Sequence, residues 1–356
     1  MEKIVLKNTS QTGEIDIGND CLKTYLPSLT AGQRNFVLTD ENVAALHADF
    51  FQTYFSDSEI FVMPAGEENK NFFHLQRILE RMVQVGLTRK SMLFAVGGGV
   101  VGDMGGLCAA LYMRGIACTQ IPTTLLAQVD SGVGGKTAID CLGVKNAIGA
   151  FYQPSRVLIA PRFLQTLPAR EWKCGVGEIV KYAAISAEIF DVLQNNADKL
   201  ADEAFLRTLI APCVRYKAEV VERDEKETGE RKCLNVGHTT GHALELAFGL
   251  SHGESVLYGM LLETEMAVRA GVCERQHAER LQRLVKTALG MQPTSKIVWT
   301  ADVIKRLTNN ALSDKKNGED GKIVMTVAKA YGEWTTFALD KQAYAKELSG
   351  VAYVCD

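Results

Sequence analysis

The sequence predicts two successive folds: an α/β N-terminal half built as a Rossmann-like parallel sheet, then a mainly α-helical C-terminal half. Three observations carry this. Short apolar runs alternate with helix-like stretches through the first half of the chain. A Gly97-Gly98-Gly99 turn follows directly on one of those runs. Beyond about residue 165 apolar residues recur at helical spacing, and strand-like runs return only near the end. Alternating buried strands and helices imply a parallel sheet covered on both faces.

Taken in order, Met1-Glu2-Lys3-Ile4 enters a strand-like segment directly, and no signal sequence is expected. Asn35 to Asp40 is an apolar run ending in a polar residue, with a helix-like stretch after it. Ile60 to Met63 is a second such run, closed by Pro64 and Gly66. Over 71–85 the spacing sets Phe72, Leu75, Leu79, Met82 and Val83 on one helical face, and Gly86 supplies the stop. Met92 to Val96, Cys118 to Ile121 and Arg156 to Ile159 read as further strands of this half. Residues 176–195, 200–225, 237–248, 254–271 and 275–289 read as helices. A hairpin is expected from Lys322–Val327 and Trp334–Phe337 around Gly332. The boundary falls between Pro161 and Arg170, giving domains 1–165 and 166–356, and a cleft between two domains is a favoured ligand site.

Composition narrows the function. Among 356 residues, 39 are basic and 42 acidic, a net charge of −3, which argues against a nucleic-acid partner. No apolar run has the length of a membrane helix. The nine cysteines are odd in number and contain no C-x-x-C, so a reducing, cytoplasmic setting with buried thiols is expected.

Gly97 to Gly102 satisfies G-x-G-x-x-G between a strand and a helix, where a backbone without side chains can approach a pyrophosphate at a helix N-terminus. Yet no acidic residue stands about 20 positions further on, and Asp103 follows at once instead. A tight strand-to-helix turn is the plainer alternative. Asp40, ending an earlier strand, suits either a ribose contact or the cap of the next helix. Gly132-Val133-Gly134-Gly135-Lys136-Thr137 looks like a phosphate loop but carries Asp130 where the first glycine belongs. With Lys145 and Asn146 nearby it reads either as an anion pocket or as a surface loop with solvated lysines.

Three of six histidines fall within fifteen positions, at 238, 242 and 252. His238 and His242 share a helical face, which suggests two metal ligands, although the glutamate of H-E-x-x-H is missing. Glu178 could be a ligand from another helix, or merely the i,i+3 partner of Lys181 in a surface salt bridge.

Several segments together are more specific than any one. Thr39-Asp40-Glu41-Asn42, PAGEENK at 64–70, GGGVVGD at 97–103, and Ile121 to Asp130 are followed by GVGGKT at 132–137 and KNAIGAFYQP at 145–154. FLQTLPARE at 163–171, GEIVKYA at 177–183, KAEVVERDE at 217–225, LNVGHTTGHALE at 234–245, HGESVLYGM at 252–260 and DKKN at 314–317 continue the series. In this order and spacing the chain resembles the 3-dehydroquinate synthases from end to end.

The resemblance implies a divalent metal, Zn2+ or Co2+, bound by Glu178, His238 and His252, which frees His242 to move protons. It implies NAD at Asp40, Asn42, Glu67, Lys70, Gly98, Gly99, Val100, Asp103, Thr123, Thr124, Lys145, Phe163, Leu164, Gln165 and Thr166. Substrate contacts carry over to Asp130, Lys136, Asn146, Lys181, Lys217, Arg231, Asn235 and the Lys315/Lys316 pair, with Asp130, Lys136, Lys181, Lys217, Asn235 and His242 as the catalytic set. Arg114 would reach a neighbouring subunit's phosphate, which implies a homodimer. The implied reaction converts 3-deoxy-D-arabino-heptulosonate 7-phosphate to 3-dehydroquinate and phosphate, in the shikimate pathway of aromatic amino acid biosynthesis. Transient oxidation by NAD acidifies a C–H, phosphate leaves by β-elimination, the hydride returns, and an internal aldol step closes the ring. Another sugar-phosphate cyclase, or a glycerol-dehydrogenase-type alcohol dehydrogenase, is the alternative. The departures are slight: Gly177 stands where the family has another small residue, and Gly132 where it often has Ser.

Overall fold

The computed structural model describes residues 1–7, 12–290, 297–313 and 321–355. By its internal contacts the chain divides into two compact units: Met1–Glu171 with Val214–Lys226, and Trp172–Cys213 with Glu227–Asp356. The sequence reading set a single boundary at 165/166 and did not foresee the return of 214–226 to the first unit. Polar contacts, invisible to periodicity, tie that segment down. Arg215 pairs with Glu2, Glu222 accepts from the backbone of Lys7, and Gln153 donates to Glu225.

The first unit is built on a seven-stranded sheet. Its strands are β1 (Glu2–Lys7), β2 (Thr12–Ile17), β3 (Asn35–Asp40), β4 (Glu59–Met63), β5 (Met92–Gly97), β6 (Ala117–Pro122) and, further along, Arg156–Ile159. A separate antiparallel hairpin, β7 (Lys136–Cys141) and β8 (Val144–Phe151), precedes that last strand, which is therefore β9. The sheet order is β1-β2-β9-β6-β5-β3-β4, parallel except for β1 against β2.

Side chains alternate across this sheet as a pleat requires. Phe36, Leu38, Leu93 and Ala95 join one apolar cluster with Leu75 and Ile78 of α4 (Phe72–Gln84) and Met104 and Leu107 of α5 (Gly99–Leu111). Val37, Phe94 and Val96 join the opposite cluster, with Leu22 and Leu26 of α1 (Asp20–Thr30) and Phe50 and Phe55 of α3 (Ala48–Phe55), which follows the short α2 (Glu41–Leu46). Helices thus cover both faces. In α4 the buried stripe is Leu75, Ile78 and Met82, whereas Phe72 and Val83 are exposed. The helix is rotated from the expected face because Ile78, not Val83, fills the gap over the sheet. Gly86 takes φ +70° just past its end, the left-handed stop expected there.

Chain order decides where a ligand can enter. From β3 the chain passes to β4 on one side, then returns to β5 on the other. The carboxyl ends of β3 and β5 therefore flank a topological switch point, the favoured crevice of open α/β sheets.

The second unit is mainly helical. Its helices include α6 (Ala169–Ile185), Ala187–Gln194, Glu203–Thr208 and the start of Ile210–Arg223. Then follow His238–Phe248, His252–Arg269, Arg275–Gly290, Ala301–Leu312 and Lys341–Val351. The helix expected over 176–195 is two helices, because Ser186 turns extended and its hydroxyl accepts from the backbone of Ile189 as a new cap. The stretch 200–225 likewise divides at Leu209. The expected hairpin is present, as Lys322–Ala330 against Glu333–Asp340 with Gly332 at φ +72°.

Candidate active site

In the first unit the glycine turn joins β5 to α5. A Cβ on Gly97 would lie 2.6 Å from the Val101 side chain, and one on Gly98 would lie 3.0 Å from Thr124 Cγ2. Side chains are excluded there, so the backbone itself lines the turn. No side chain caps α5, which leaves its first N–H groups for an anion. Val100 sits in that first turn, and Thr123 lies beside the glycines, its N–H donating to Gly97 O at 2.9 Å.

Asp40 ends β3 next to this turn, since Thr39 pairs with Val96. Its Oδ1 accepts from the N–H of Asn42 and Val43 at 2.9 and 3.0 Å, which caps the helix Glu41–Leu46. Burial pushes the Asp40 carboxyl above its usual range despite those bonds. Phe163 and Leu164 are buried, and Gln165 and Thr166 are exposed on the same short helix, Pro161–Thr166. Thr166 Oγ1 is 3.0 Å from His47 Nε2, and the His47 ring meets Phe163 edge-on, so this segment joins the crevice beside Asp40.

Buried Lys70 is the centre of a polar group whose other members are half-buried or exposed. Its ammonium is 2.6 Å from Asp103 Oδ2, 2.5 Å from Asn146 Oδ1 and 3.6 Å from Glu67 Oε1. Burial pushes the Asp103 carboxyl up, against the pull of Lys70. For Lys70 burial works to lower the pKa, but Asp103 and Glu67 outweigh it, and the ammonium is held above its usual range. Asn146 lies on the β7–β8 hairpin, as does Lys145, with exposed Lys136 at its start. The segment read as a loop or an anion pocket is thus partly a paired β-ribbon. Asp130 lies on a π-turn, Ala127–Ser131, of a kind often found at functional sites. Lys217, from the segment 214–226, bonds Asp130 Oδ1 at 2.5 Å and its carbonyl at 2.8 Å.

In the second unit Glu178, His238 and His252 come from three helices and place one ligand atom each within 4.8 Å of the others. Glu178 Oε1 is 2.8 Å from His252 Nε2 and 3.6 Å from His238 Nε2. His238 Nδ1 lies 3.0 Å from Val236 O, so that nitrogen donates, and Nε2 is the nitrogen that faces Glu178. Glycines bring these helices together. A Cβ on Gly177, beside Glu178, would lie 2.5 Å from the backbone of Gly253, beside His252, and one on Gly253 would strike Cys174 O. Lys181 pairs with Glu178 Oε2 at 2.5 Å, as the spacing allowed, but both are buried, so this is no surface bridge. For His252 burial acts to lower the pKa, and Glu178 and Glu245 overcome it, raising the imidazole to about 9. A carboxylate and two imidazoles make a donor set that suits a divalent ion, with positions left for substrate oxygens.

A second group, His242, Glu245 and His252, also converges within 4.8 Å. Its members are less buried than Glu178 and His238. Glu245, whose Oε2 is 3.5 Å from His252 Nδ1, was not singled out from sequence. Its signals there are position i+3 from His242 on the same helix and its place at the end of LNVGHTTGHALE.

A family model described as 3-dehydroquinate synthase N-terminal matches residues 60–174, and one described as 3-dehydroquinate synthase C-terminal matches 175–317. The chain belongs to the 3-dehydroquinate synthase family. A 3-dehydroquinate synthase from Desulforamulus reducens is 38% identical over 93% of this chain and 97% of that protein. Among solved structures, 2-epi-5-epi-valiolone synthase from Streptomyces hygroscopicus with NAD+ and Zn2+ bound is 26% identical, with a TM-score of 0.83 over 99% of each chain. A 2-deoxy-scyllo-inosose synthase complexed with carbaglucose-6-phosphate, NAD+ and Co2+ shares the fold, with a TM-score of 0.84 at 23% identity over 98% of this chain and 99% of that one. The chain is accordingly an enzyme with 3-dehydroquinate synthase activity, built on the fold of the sugar-phosphate cyclases.

The remaining candidates from the 3-dehydroquinate synthase resemblance are placed as follows. Arg231 is fully buried in Glu230–Asn235, and Asn235 donates to Glu227 Oε1 at 2.6 Å. Arg114 is exposed at φ +64°. Lys315 and Lys316 lie outside the described residues.

Proposed function

We propose that the chain converts 3-deoxy-D-arabino-heptulosonate 7-phosphate to 3-dehydroquinate and phosphate with NAD+ at the glycine turn and Zn2+ or Co2+ on Glu178, His238 and His252. The convergence of those three side chains, in a chain of this family, carries the reading. When bound, NAD+ supplies a reversible hydride acceptor and the cation polarises the substrate oxygen that changes oxidation state.

The chain's own residues supply the rest. Asp40 and Asn42 meet the nucleoside, and the bare backbone at Gly98 and Gly99 meets the pyrophosphate. Asp130 orients a hydroxyl, with Lys217 fixing its carboxylate. Lys217 and Arg231 are given to the substrate carboxylate, for which a guanidinium offers a planar fork. Lys136, Asn146 and Lys181 are given to the phosphate, and His242 to proton movement. Lys181 also fixes the Glu178 carboxylate through its Oε2. Arg114 is proposed to serve the phosphate of a second subunit, which makes the working form a homodimer. An odd number of cysteines, most of them buried, supports a cytoplasmic setting.

The test is the purified chain with the heptulosonate phosphate, NAD+ and Zn2+ or Co2+, with release of phosphate and of a cyclic dehydroquinate expected. Sustained NADH production from a simple alcohol, with no phosphate released, would overturn the reading. Sedimentation that gives a monomer, together with unchanged kinetics for Arg114→Ala, would remove the dimer role.

A further inference from the structure

We propose that Glu263 is a positioning residue for the metal centre: from the helix His252–Arg269 its buried carboxylate caps the helix His238–Phe248, and so fixes the turn from which His238 meets the ion. The inference rests on the reading that Glu178, His238 and His252 hold Zn2+ or Co2+.

The helix His238–Phe248 begins without a cap from its own leading segment. Gly237 precedes it at φ +74° and has no side chain to offer the first N–H groups. One of these, the N–H of Thr240, donates instead to Glu263 Oε1 at 2.6 Å. Thr240 is fully buried and Glu263 only 1% exposed, so the bond is made away from solvent, where an N–H left unmet is costly. A carboxylate at this place also sits at the positive end of the helix dipole, which favours its negative charge.

The neighbouring helix can supply the cap because the two backbones touch. A Cβ on Gly259 would strike Gly237 O, and one on Gly241 would lie 2.9 Å from Ser255 O. Residues 252 and 263 are eleven positions apart, about three turns, and both face the helix His238–Phe248. The His252 ring centre is 5.3 Å from that of His238, and Glu263 reaches Thr240. One helix thus carries a metal ligand and the cap for the helix of a second ligand. His238 is the first residue of the capped turn and Thr240 the third. The Thr240 side chain is engaged elsewhere, its Oγ1 at 2.9 Å from Tyr344 OH, and that buried bond can be removed with the cap left in place.

Zn2+ affinity is measured by chelator competition well below Tm, beside thermal denaturation of the metal-free chain. Glu263→Met removes the acceptor, and Zn2+ is expected to bind about threefold or more weakly, short of the tenfold for a group that touches a ligand directly. Glu263→Gln keeps an acceptor oxygen and should recover most of that affinity. Tyr344→Phe should lower Tm and leave Zn2+ affinity at the parent value. If Glu263→Met does not fold, Glu263→Asp, whose shorter arm withdraws the acceptor, takes its place with the same loss expected. A variant without the cap that binds Zn2+ like the parent, whatever its Tm, would overturn the proposal. So would a Gln variant that binds no better than the capless one, or equal weakening by Tyr344→Phe. Failure of the unaltered chain to bind Zn2+, or parent affinity in His238→Ala, would overturn the metal reading, and this inference with it.

Discussion

At the scale of residues, each proposed metal ligand is held by something else. His238 is fixed by a backbone carbonyl, His252 is bracketed by Glu178 and Glu245, and Glu178 is paired with Lys181. His252→Ala should therefore lose the ion, whereas His242→Ala should keep it and lose turnover. Metal content after gel filtration, read beside kcat, separates the two, and equal metal loss in both would favour the His242, Glu245, His252 group. Glu245→Gln should keep the ion but weaken its binding about tenfold, the usual scale for a group that orients a ligand. An unchanged affinity in a chelator competition would leave Glu245 without that role. Lys181→Met takes one cationic partner from buried Glu178 and leaves His252, so a stability loss of about 1–3 kcal/mol in the metal-free chain is expected from urea denaturation.

At the scale of elements, the site depends on how closely backbones approach. Gly177 and Gly253 let α6 and the helix His252–Arg269 touch where Glu178 and His252 must meet. Gly253→Ala would press a methyl group into the carbonyl of Cys174, so a loss of about 1–3 kcal/mol is expected, together with weaker metal binding. Thermal denaturation with and without Zn2+ checks both effects, and a variant as stable as the parent would show that the helices can slide apart at no cost. The same economy shapes α5. Its glycines at 102, 105 and 106 cost helix stability, on the order of 1 kcal/mol each, yet they let the helix lie close to Ala95, Gln120 and Thr137.

At the scale of the whole molecule, Glu178 and Lys181 are wholly buried. An ion that binds only the folded state adds stability by mass action, about 2.7 kcal/mol at a hundred times its Kd. Chelation should therefore abolish synthase activity and also lower Tm, and Zn2+ or Co2+ should restore both in parallel. Full activity after complete metal removal would refute the metal assignment. Among the described residues no helix is long and apolar enough to cross a membrane.

Much was legible in the sequence because it is written locally. Apolar runs named the sheet, Gly86 and Gly332 marked turns, and the ordered motifs from Thr39 to Asn317 named the family. Periodicity misplaced the buried stripe of α4 and ran two helices together at Ser186, since a single cap hydrogen bond leaves no trace in hydrophobic spacing. Tertiary structure alone decided that residues 214–226 return to the first unit and that Lys70 links Asp103 to Asn146. It alone showed that the Glu178–Lys181 pair is buried and that Glu245 stands behind His252. These facts join residues far apart in the chain, through distances and burial that arise only once the backbone has closed on itself.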